Sequence, residues 1–465
     1  VSDLAELLDI PRIVISASGS SSGKTMISSG LAKCLVKRGF KVQTFKVGPD
    51  FIDPQYLTMA SGRQCVNLDS WLMSEEEMLR DFVEYARGAD IALIEGVRSL
   101  YDSGDPLSLR GSTWLVAKVL RAPVLLVVDV SGINMGAAAI AKGFSTLTEG
   151  VRVEGVVLNK VRSFIHMVKA KAAVEKMAGI PVIGAIPVLS ELKVEMRHLG
   201  LRPALEKRAK ALESIEKWRE IVECNLNVRL IEDIAKSAPP IRLERKTSRR
   251  RPKGKVKVAV ALDEAFNFYY RQNMDLLEAL GAELVPFSPL TSSSLSEASG
   301  VLMGGGYPQL FLVQLEGNES LRRSLKKLVE DECPTYAECG GLMYLCEEIE
   351  DFSGVKVRGV SVIPGRCSIS RSTRFLGYTR HRVVRDNPLS KAGGEVKGHE
   401  FHYSSIEVRG EVKYAYEVLR GYGVDGRHDG IVTHEALASY THVLASGQEH
   451  LFERFLEKCL AYSRR

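Results

Sequence analysis

A chain of 465 residues, 45% hydrophobic and 26% charged, is long enough for two or three globular domains at roughly 150 residues each. Nothing in it approaches the roughly 18 consecutive apolar residues of a membrane span. The opening residues Val1 to Glu6 carry no basic-then-apolar leader pattern, so the expected setting is cytoplasmic, with no membrane partner. The net charge of +6 does not argue for a nucleic-acid partner: Arg242 to Lys257 holds nine Lys/Arg and one Glu, a local +8, which leaves 6 − 8 = −2 for the rest, and no aromatic residue interleaves the run.

In chain order, the apolar run Ile13-Val14-Ile15 predicts a strand, Ser16 to Thr25 a small-residue loop, and Met26 to Arg38 a helix. Strand, loop ending in Gly23-Lys24-Thr25, and helix are the parts of a P-loop. Ser20, Ser21, Ser22 and Gly23 can turn backbone N–H groups onto a polyphosphate, Lys24 can reach the β- and γ-phosphates, and Thr25 can hold Mg²⁺. Ser18 stands where the pattern usually has glycine, with Gly19 beside it. Further apolar runs follow at Val42 to Val47, Ile91 to Ile94, Val124 to Val128, Val151 to Leu158 and Val182-Ile183, with helical patterns between most of them. That alternation predicts an α/β domain with a doubly wound parallel sheet, its ligands at the carboxyl ends of the strands.

Charged residues collect at those ends. Lys46, Asp50 and Asp53 lie at or after the end of the second strand, and Glu95 closes the run at 91 to 94. A carboxylate there is the expected second support for Mg²⁺ beside a P-loop, which makes Asp50 and Glu95 metal candidates with Thr25. Each acid alone is as readily a solvated loop residue or a helix cap; it is their number around one P-loop that favours a metal–nucleotide site. Asn159 ends another strand, where it can contact a nucleotide base or simply make a turn.

Periodicity fades from Ala235 to Lys257, where Pro239, Pro240 and Pro252 join the basic run. The expected division is therefore a first domain over 1–238, a linker over 239–256, and a second domain over 257–465. The second half restarts with strands at Lys257 to Leu262, Ala282 to Phe287 and Gly300 to Met303, then Gly304-Gly305-Gly306 and a helix over Ser320 to Asp331. In the stretch from Pro334 a short strand ends at Cys339, followed by Gly340-Gly341 and an apolar helix start. This is a nucleophile elbow in outline, with Cys for Ser. The turn is expected to expose the sulfur and the helix start to favour its thiolate. Gly305, Gly306 and Gly340 are the expected oxyanion donors. The base is left open among His399, His402, His434 and His442. The other seven of the eight cysteines form no C-x-x-C pair and read as reduced thiols.

Taken together, these motifs resemble the cobyrinate a,c-diamide synthases from end to end. The resemblance rests on the P-loop, Lys46-Val47-Gly48-Pro49-Asp50-Phe51-Ile52-Asp53-Pro54, Asn67-Leu68-Asp69, Glu95-Gly96-Val97 through Tyr101-Asp102, Gly304 to Pro308, Ala337 to Gly341, Gly398-His399-Glu400-Phe401-His402 and Ser439-Tyr440-Thr441-His442. It implies an N-terminal amidoligase domain similar to dethiobiotin synthetase and a C-terminal class I glutamine amidotransferase domain. The first would use ATP and Mg²⁺ to phosphorylate a side-chain carboxylate of a tetrapyrrole polycarboxylate, with Lys46 on the nucleotide and Asp53 and Asp102 on the substrate or intermediate. The second would hydrolyse L-glutamine through Cys339, and the resemblance selects His442 as its base. Ammonia would pass internally to the acyl phosphate, and the a and c acetates would be amidated in turn; a homodimer is left open.

Arg98-Ser99 replaces a frequent Met-Gly pair of that family, Ser103 a frequent Gly, and Gln309 a frequent Glu. These loop departures bear on the acceptor. A sister activity, Ni-sirohydrochlorin a,c-diamide synthase, shares the scaffold, and Met196 to Leu201 resembles members of either pathway. Gly48-Pro49-Asp50-Phe51 favours the cobyrinate branch. A ParA/MinD-type regulatory ATPase is a remote alternative that leaves the Cys339 elbow without a purpose.

Overall fold

The computed structural model describes residues 6–189, 196–197, 200–201, 208–243, 254–295, 297–370 and 372–465. It divides into two compact units, Val1–Thr247 and Ser248–Arg465.

The first unit is built on a seven-stranded parallel sheet. Its order is Val66–Leu68, Val42–Val47, Ile91–Glu95, Arg12–Ala17, Val124–Asp129, Val153–Val161, Val182–Pro187. Both faces are covered, as near-continuous apolar strands require. In one strand, Leu125 and Val127 join the core that contains Ile27 and Leu31, whereas Leu126 and Val128 join the core that contains Ala137 and Ala141. The short strand Val66–Leu68 has too few residues to show a period and is not foreseen. Nor is the helix Arg208–Asn225, which packs against the helix Lys24–Lys37.

The segment expected to be linker starts as structure. Arg12, fully buried, donates to the Leu120 carbonyl at 2.7 Å and to the Pro239 carbonyl. Ile241–Leu243 then pairs antiparallel with Glu6–Leu8. The rest of the basic run, 244–253, lies outside the described residues. So do His198 and Leu199 of the motif at 196–201, whose ends Met196–Arg197 and Gly200–Leu201 pair antiparallel.

The second unit has a nine-stranded sheet. Five parallel strands come first, in the order Ala282–Phe287, Val256–Ala261, Gly300–Met303, Thr335–Glu338, Ala436–Ser439. Four antiparallel ones extend it: His428–Thr433, Lys413–Arg420, Phe375–Val383 and Glu395–His402. A separate four-stranded sheet uses Lys356–Arg358, Cys346–Glu350, Ile363–Ile369 and Ser404–Val408. The antiparallel extension brings the segment around Glu400 alongside the end of the strand Ala436–Ser439: His399 and His442 exchange backbone hydrogen bonds of 3.0 and 2.8 Å.

The helix that carries the P-loop lysine is seated by a close approach. A Cβ at Gly30 would lie 2.5 Å from the Trp218 carbonyl oxygen and 2.9 Å from Val222. Backbone cannot give way as a side-chain tip can, so Gly30→Ala should cost this unit about 1–3 kcal/mol. The check is the urea midpoint of the variant; an unchanged midpoint would contradict this packing.

Candidate active sites

The loop after Arg12–Ala17 bends through Ser21 at φ 57° and Gly23 at φ 91° before the helix begins at Lys24. Ser20 and Ser21 are exposed and Ser22 is buried, its hydroxyl donating to the Gly19 carbonyl at 2.9 Å. Lys24 is 8% exposed, and its ammonium donates to the carbonyls of Gly19, at 3.2 Å, and Arg98. Burial, with Lys46 nearby, lowers its pKa to about 8. An ammonium held on two neutral carbonyls is under-compensated, and a polyphosphate supplies the missing charge.

Asn159 lies beneath the loop. Its Nδ2 donates to the Ser22 carbonyl at 2.8 Å and its Oδ1 accepts from the Lys160 N–H at 2.9 Å. A Cβ at Gly23 would lie 2.5 Å from that Nδ2, so the glycine lets the amide reach the loop. In this arrangement the Asn159 amide ties the loop to the end of the strand Val153–Val161.

Beside Thr25 stands a cluster built at the ends of two neighbouring strands. Lys46 and Glu95 sit at paired positions in the parallel register. Lys46 Nζ donates to Asp53 at 2.6 Å, Glu95 at 2.8 Å and the Gly96 carbonyl at 3.3 Å, and stands 4.0 Å from Asp50. Burial opposes the charge on Lys46, but Asp53 and Glu95 outweigh it and raise its pKa. Burial and the neighbouring Asp53 push the Asp50 carboxyl up to about 7. Asp53 is held below its usual value because Lys46 outweighs its burial. Asp50 Oδ1 accepts from the Ile52 and Asp53 N–H groups, and Asn67 donates to the Gly48 and Asp50 carbonyls, which fixes this loop. Asp102 is exposed and close enough to act on the Lys24 charge.

Thr25 donates to Glu95 Oε1 at 2.8 Å, while Glu95 Oε2 is buried with no hydrogen-bond partner. A hydroxyl next to a carboxylate with an orphaned buried oxygen is a hard-oxygen donor set that suits Mg²⁺.

In the second unit, Cys339 follows the strand Thr335–Glu338 at φ 46°, ψ −94° and precedes the helix Gly340–Leu345. A non-glycine residue at that φ is strained, as the elbow requires. The expected exposure of the sulfur is corrected. Cys339 is 7% exposed, and its Sγ donates to the Phe401 carbonyl at 3.8 Å. It faces a small cavity lined with Phe268, Tyr307, Gln309, Phe401, Tyr403 and Ser404. Burial, with Cys367 and Glu338 nearby, pushes the thiol well above its usual value, against the Gly340 N–H, so the resting sulfur is protonated. Six residues of helix are too few to reverse that.

The glycines come together here. A Cβ at Gly340 would lie 3.1 Å from the Gly306 nitrogen. One at Gly305 would lie 2.5 Å from His442 Cε1 and 3.2 Å from its Nε2. Gly304 is excluded as an oxyanion donor because its N–H donates to the Tyr269 hydroxyl at 2.8 Å.

Among the histidines, His442 has Nδ1 3.2 Å from Glu338 Oε2. His402 lines the Cys339 cavity, but its nitrogens are engaged by the Ser404 carbonyl at 2.8 Å and Glu400 at 3.4 Å. His399 stacks on His442, with ring centroids 5.0 Å apart. Glu400 is fully buried and accepts from the Gly423 and Tyr422 N–H groups and the Thr441 hydroxyl. The Gly-His-Glu-Phe-His motif is thus a clamp on the segment that carries His442. Donor atoms of His381, Glu400 and Asp429 lie within 4.8 Å of one another. N–H and O–H donors already fill both carboxylates, which accounts for the cluster without a metal.

Sequence reasoning named Glu338 and Asn67 within motifs but gave them no role, and it missed the Arg98 carbonyl. Glu338 directly precedes the cysteine, and an acid next to the nucleophile at the end of a short strand was the available signal.

Two family descriptions match this chain: a CobQ/CobB/MinD/ParA nucleotide binding domain over residues 13–201 and a CobB/CobQ-like glutamine amidotransferase domain over residues 257–450. A Methanosarcina acetivorans protein named cobyrinate a,c-diamide synthase is 43% identical over 93% of this chain and 92% of its own length. Proteins of the same name from Methanothermobacter thermautotrophicus and Archaeoglobus fulgidus are 42% and 41% identical, covering 94% and 97% of this chain and 96% and 98% of their own. A ParA/MinD-type regulator accounts for the first match alone.

Asn159→Ala should remove the brace under the phosphate loop and leave the Ser22 carbonyl unpaired. About 1–2 kcal/mol lost there would weaken ATP binding about tenfold. Titration calorimetry with ATP checks it, and an unaltered Kd would assign Asn159 no part in loop positioning.

Proposed function

This chain belongs to the cobyrinate a,c-diamide synthase family of glutamine-hydrolysing ligases, and from that premise we propose that it amidates the a and c acetates of cobyrinate through acyl phosphates. The observation that carries the proposal is the pairing, in one chain, of an under-compensated P-loop lysine with a cysteine elbow whose neighbouring strand, Ala436–Ser439, leads directly into His442.

In the first unit, Lys24 and the loop N–H groups from Ser20 to Gly23 grip the ATP phosphates. The loop and Lys24 align the γ-phosphoryl group with an acetate carboxylate; transfer gives an acyl phosphate and ADP. Thr25, Glu95 and Asp50 would hold Mg²⁺, which when bound offsets charge on the phosphates. Lys46 holds Asp53 and Glu95 in place, and Asp53 and Asp102 are assigned to the acceptor or its intermediate. In the second unit, His442 takes the Cys339 proton and the sulfur attacks the glutamine amide carbon. N–H groups of Gly306 and Gly340, beside Gly305, meet the oxyanion. The amide C–N bond breaks, His442 returns its proton to the departing nitrogen, and water cleaves the thioester to glutamate. The ammonia displaces phosphate from the acyl phosphate.

Lys24→Ala should lower amide formation at least about 10²-fold and leave glutamine hydrolysis measurable. Cys339→Ser should abolish glutamine hydrolysis while ammonium salts still support amidation. Mass spectrometry with Mg-ATP and glutamine, offering cobyrinic acid and Ni-sirohydrochlorin separately, tests the acceptor. Two carboxylate-to-amide conversions on cobyrinic acid alone are expected. Conversion of the nickel compound alone would move the acceptor assignment to the sister activity.

A further inference from the structure

We propose that Glu338, the residue immediately before the nucleophile, is the positioning residue of the glutaminase: it fixes the tautomer and orientation of His442 and stabilises its imidazolium while Cys339 attacks. The inference rests on the Cys339–His442 reading above and deepens it.

Glu338 is 5% exposed, so its carboxylate must find partners within the protein. One oxygen is fixed: Oε1 accepts from the Tyr336 hydroxyl at 2.6 Å and from the Val443 N–H at 3.0 Å. These bonds orient Oε2, which meets His442 Nδ1 at 3.2 Å. With Nδ1–H donated to Glu338, the tautomer leaves Nε2 as the basic nitrogen, on the side of the ring that faces Gly305.

The backbone supports the same assignment. Adjacent parallel strands place Glu338 opposite Ser439, and the Cys339 N–H donates to the Ser439 carbonyl at 2.8 Å. Consecutive residues of a regular strand point to opposite faces. The turn at Cys339 breaks that alternation and allows neighbours in sequence to serve the same histidine from two directions. The ring plane is fixed by His399, which stacks on His442 and is held at Nδ1 by the Tyr270 hydroxyl at 3.0 Å.

The chemistry follows with atoms in balance. The Cys339 proton moves to His442 Nε2 as the S–C bond forms, and Glu338 stays a carboxylate throughout. The proton then leaves on the departing nitrogen. Among the described residues, the charged and titratable groups around His442 include Glu338 at the end of the neighbouring strand, Cys339, and His399 with Tyr270 behind it; Tyr269, Tyr336 and Glu400 stand one step further out. Burial, with His442 beside it, lowers the His399 pKa well below its usual value, so His399 adds no charge beside the Glu338 carboxylate at His442 Nδ1.

The test compares Glu338→Gln, Glu338→Asp and Cys339→Ala in the full chain. Glutamine hydrolysis gives kcat and KM, and iodoacetamide labelling of Cys339 against pH gives the thiolate inflection. Glu338→Gln should lower kcat about 10²-fold with KM changed less than about threefold, and move the inflection to higher pH. Without the carboxylate the imidazolium is less stable, and the thiolate forms only where the thiol itself titrates. Glu338→Asp, which keeps the charge, should recover part of kcat and of the inflection. Wild-type kcat and inflection in Glu338→Gln would overturn the proposal. So would a Glu338→Asp protein as impaired as the Gln variant with an unmoved inflection, the result of a purely structural role. Normal hydrolysis by Cys339→Ala would instead remove the nucleophile assignment on which the proposal stands.

Discussion

A lysine ammonium with almost no access to water has to be neutralised where it stands, and Lys46 is such a group. It is 2% exposed and lies between Asp53 and Glu95, which is itself 1% exposed. Removing one partner from a buried pair of this kind costs about 3–5 kcal/mol, because the other charge is left stranded. The pairing therefore ties together the ends of two neighbouring strands, the turn at Asp50 to Asp53, and, through Glu95, the Thr25 hydroxyl at the start of the P-loop helix. The phosphate loop inherits its position from that network. The second unit repeats the logic with a buried carboxylate, Glu338, beside the imidazole of His442.

Two separately built sites suit the chemistry. A carboxylate resists ammonia because oxide would have to leave; phosphorylation replaces it with a good leaving group. Ammonia in neutral water is mostly ammonium, which has no lone pair to offer, so releasing it from glutamine within the protein avoids that loss. One task calls for phosphate-binding N–H groups, an ammonium and hard oxygens. The other calls for a nucleophile that stays protonated, and so unreactive, until its histidine and substrate are in place. In the proposed reaction the buried Cys339 thiol, whose pKa burial raises, is assigned to the second task.

What was legible in the sequence was contiguous. The P-loop, the acids after Val47 and Ile94, and the Cys339 elbow each declare themselves within about ten residues, because strand, turn and helix start are local patterns. Most parallel strands of both units were legible as short apolar runs for the same reason; Val66–Leu68 and Ala436–Ser439, too short to show a period, were not. Long-range partners were not. Glu338 meets His442 across 104 residues and Asn159 meets Ser22 across 137, and both contacts depend on strand register that no local period encodes. The antiparallel strands Phe375–Val383 and Glu395–His402 escaped notice because their buried positions include polar residues, with Thr379, His381 and Glu400 gathered on the Thr441 hydroxyl and His399 on Tyr270. The exposure expected of Cys339 failed on a related point: an elbow fixes the backbone, and the neighbouring strands decide what covers the sulfur.

The measurement that tests the division of labour most directly is the fate of carboxylate oxygen. With cobyrinic acid labelled with ¹⁸O in its acetates, turnover on Mg-ATP and glutamine should release inorganic phosphate carrying one ¹⁸O for each amide formed, since the acyl phosphate bridges through that oxygen. Phosphate free of label, with amide still produced, would contradict activation by phosphoryl transfer and with it the role given to Lys24 and its loop.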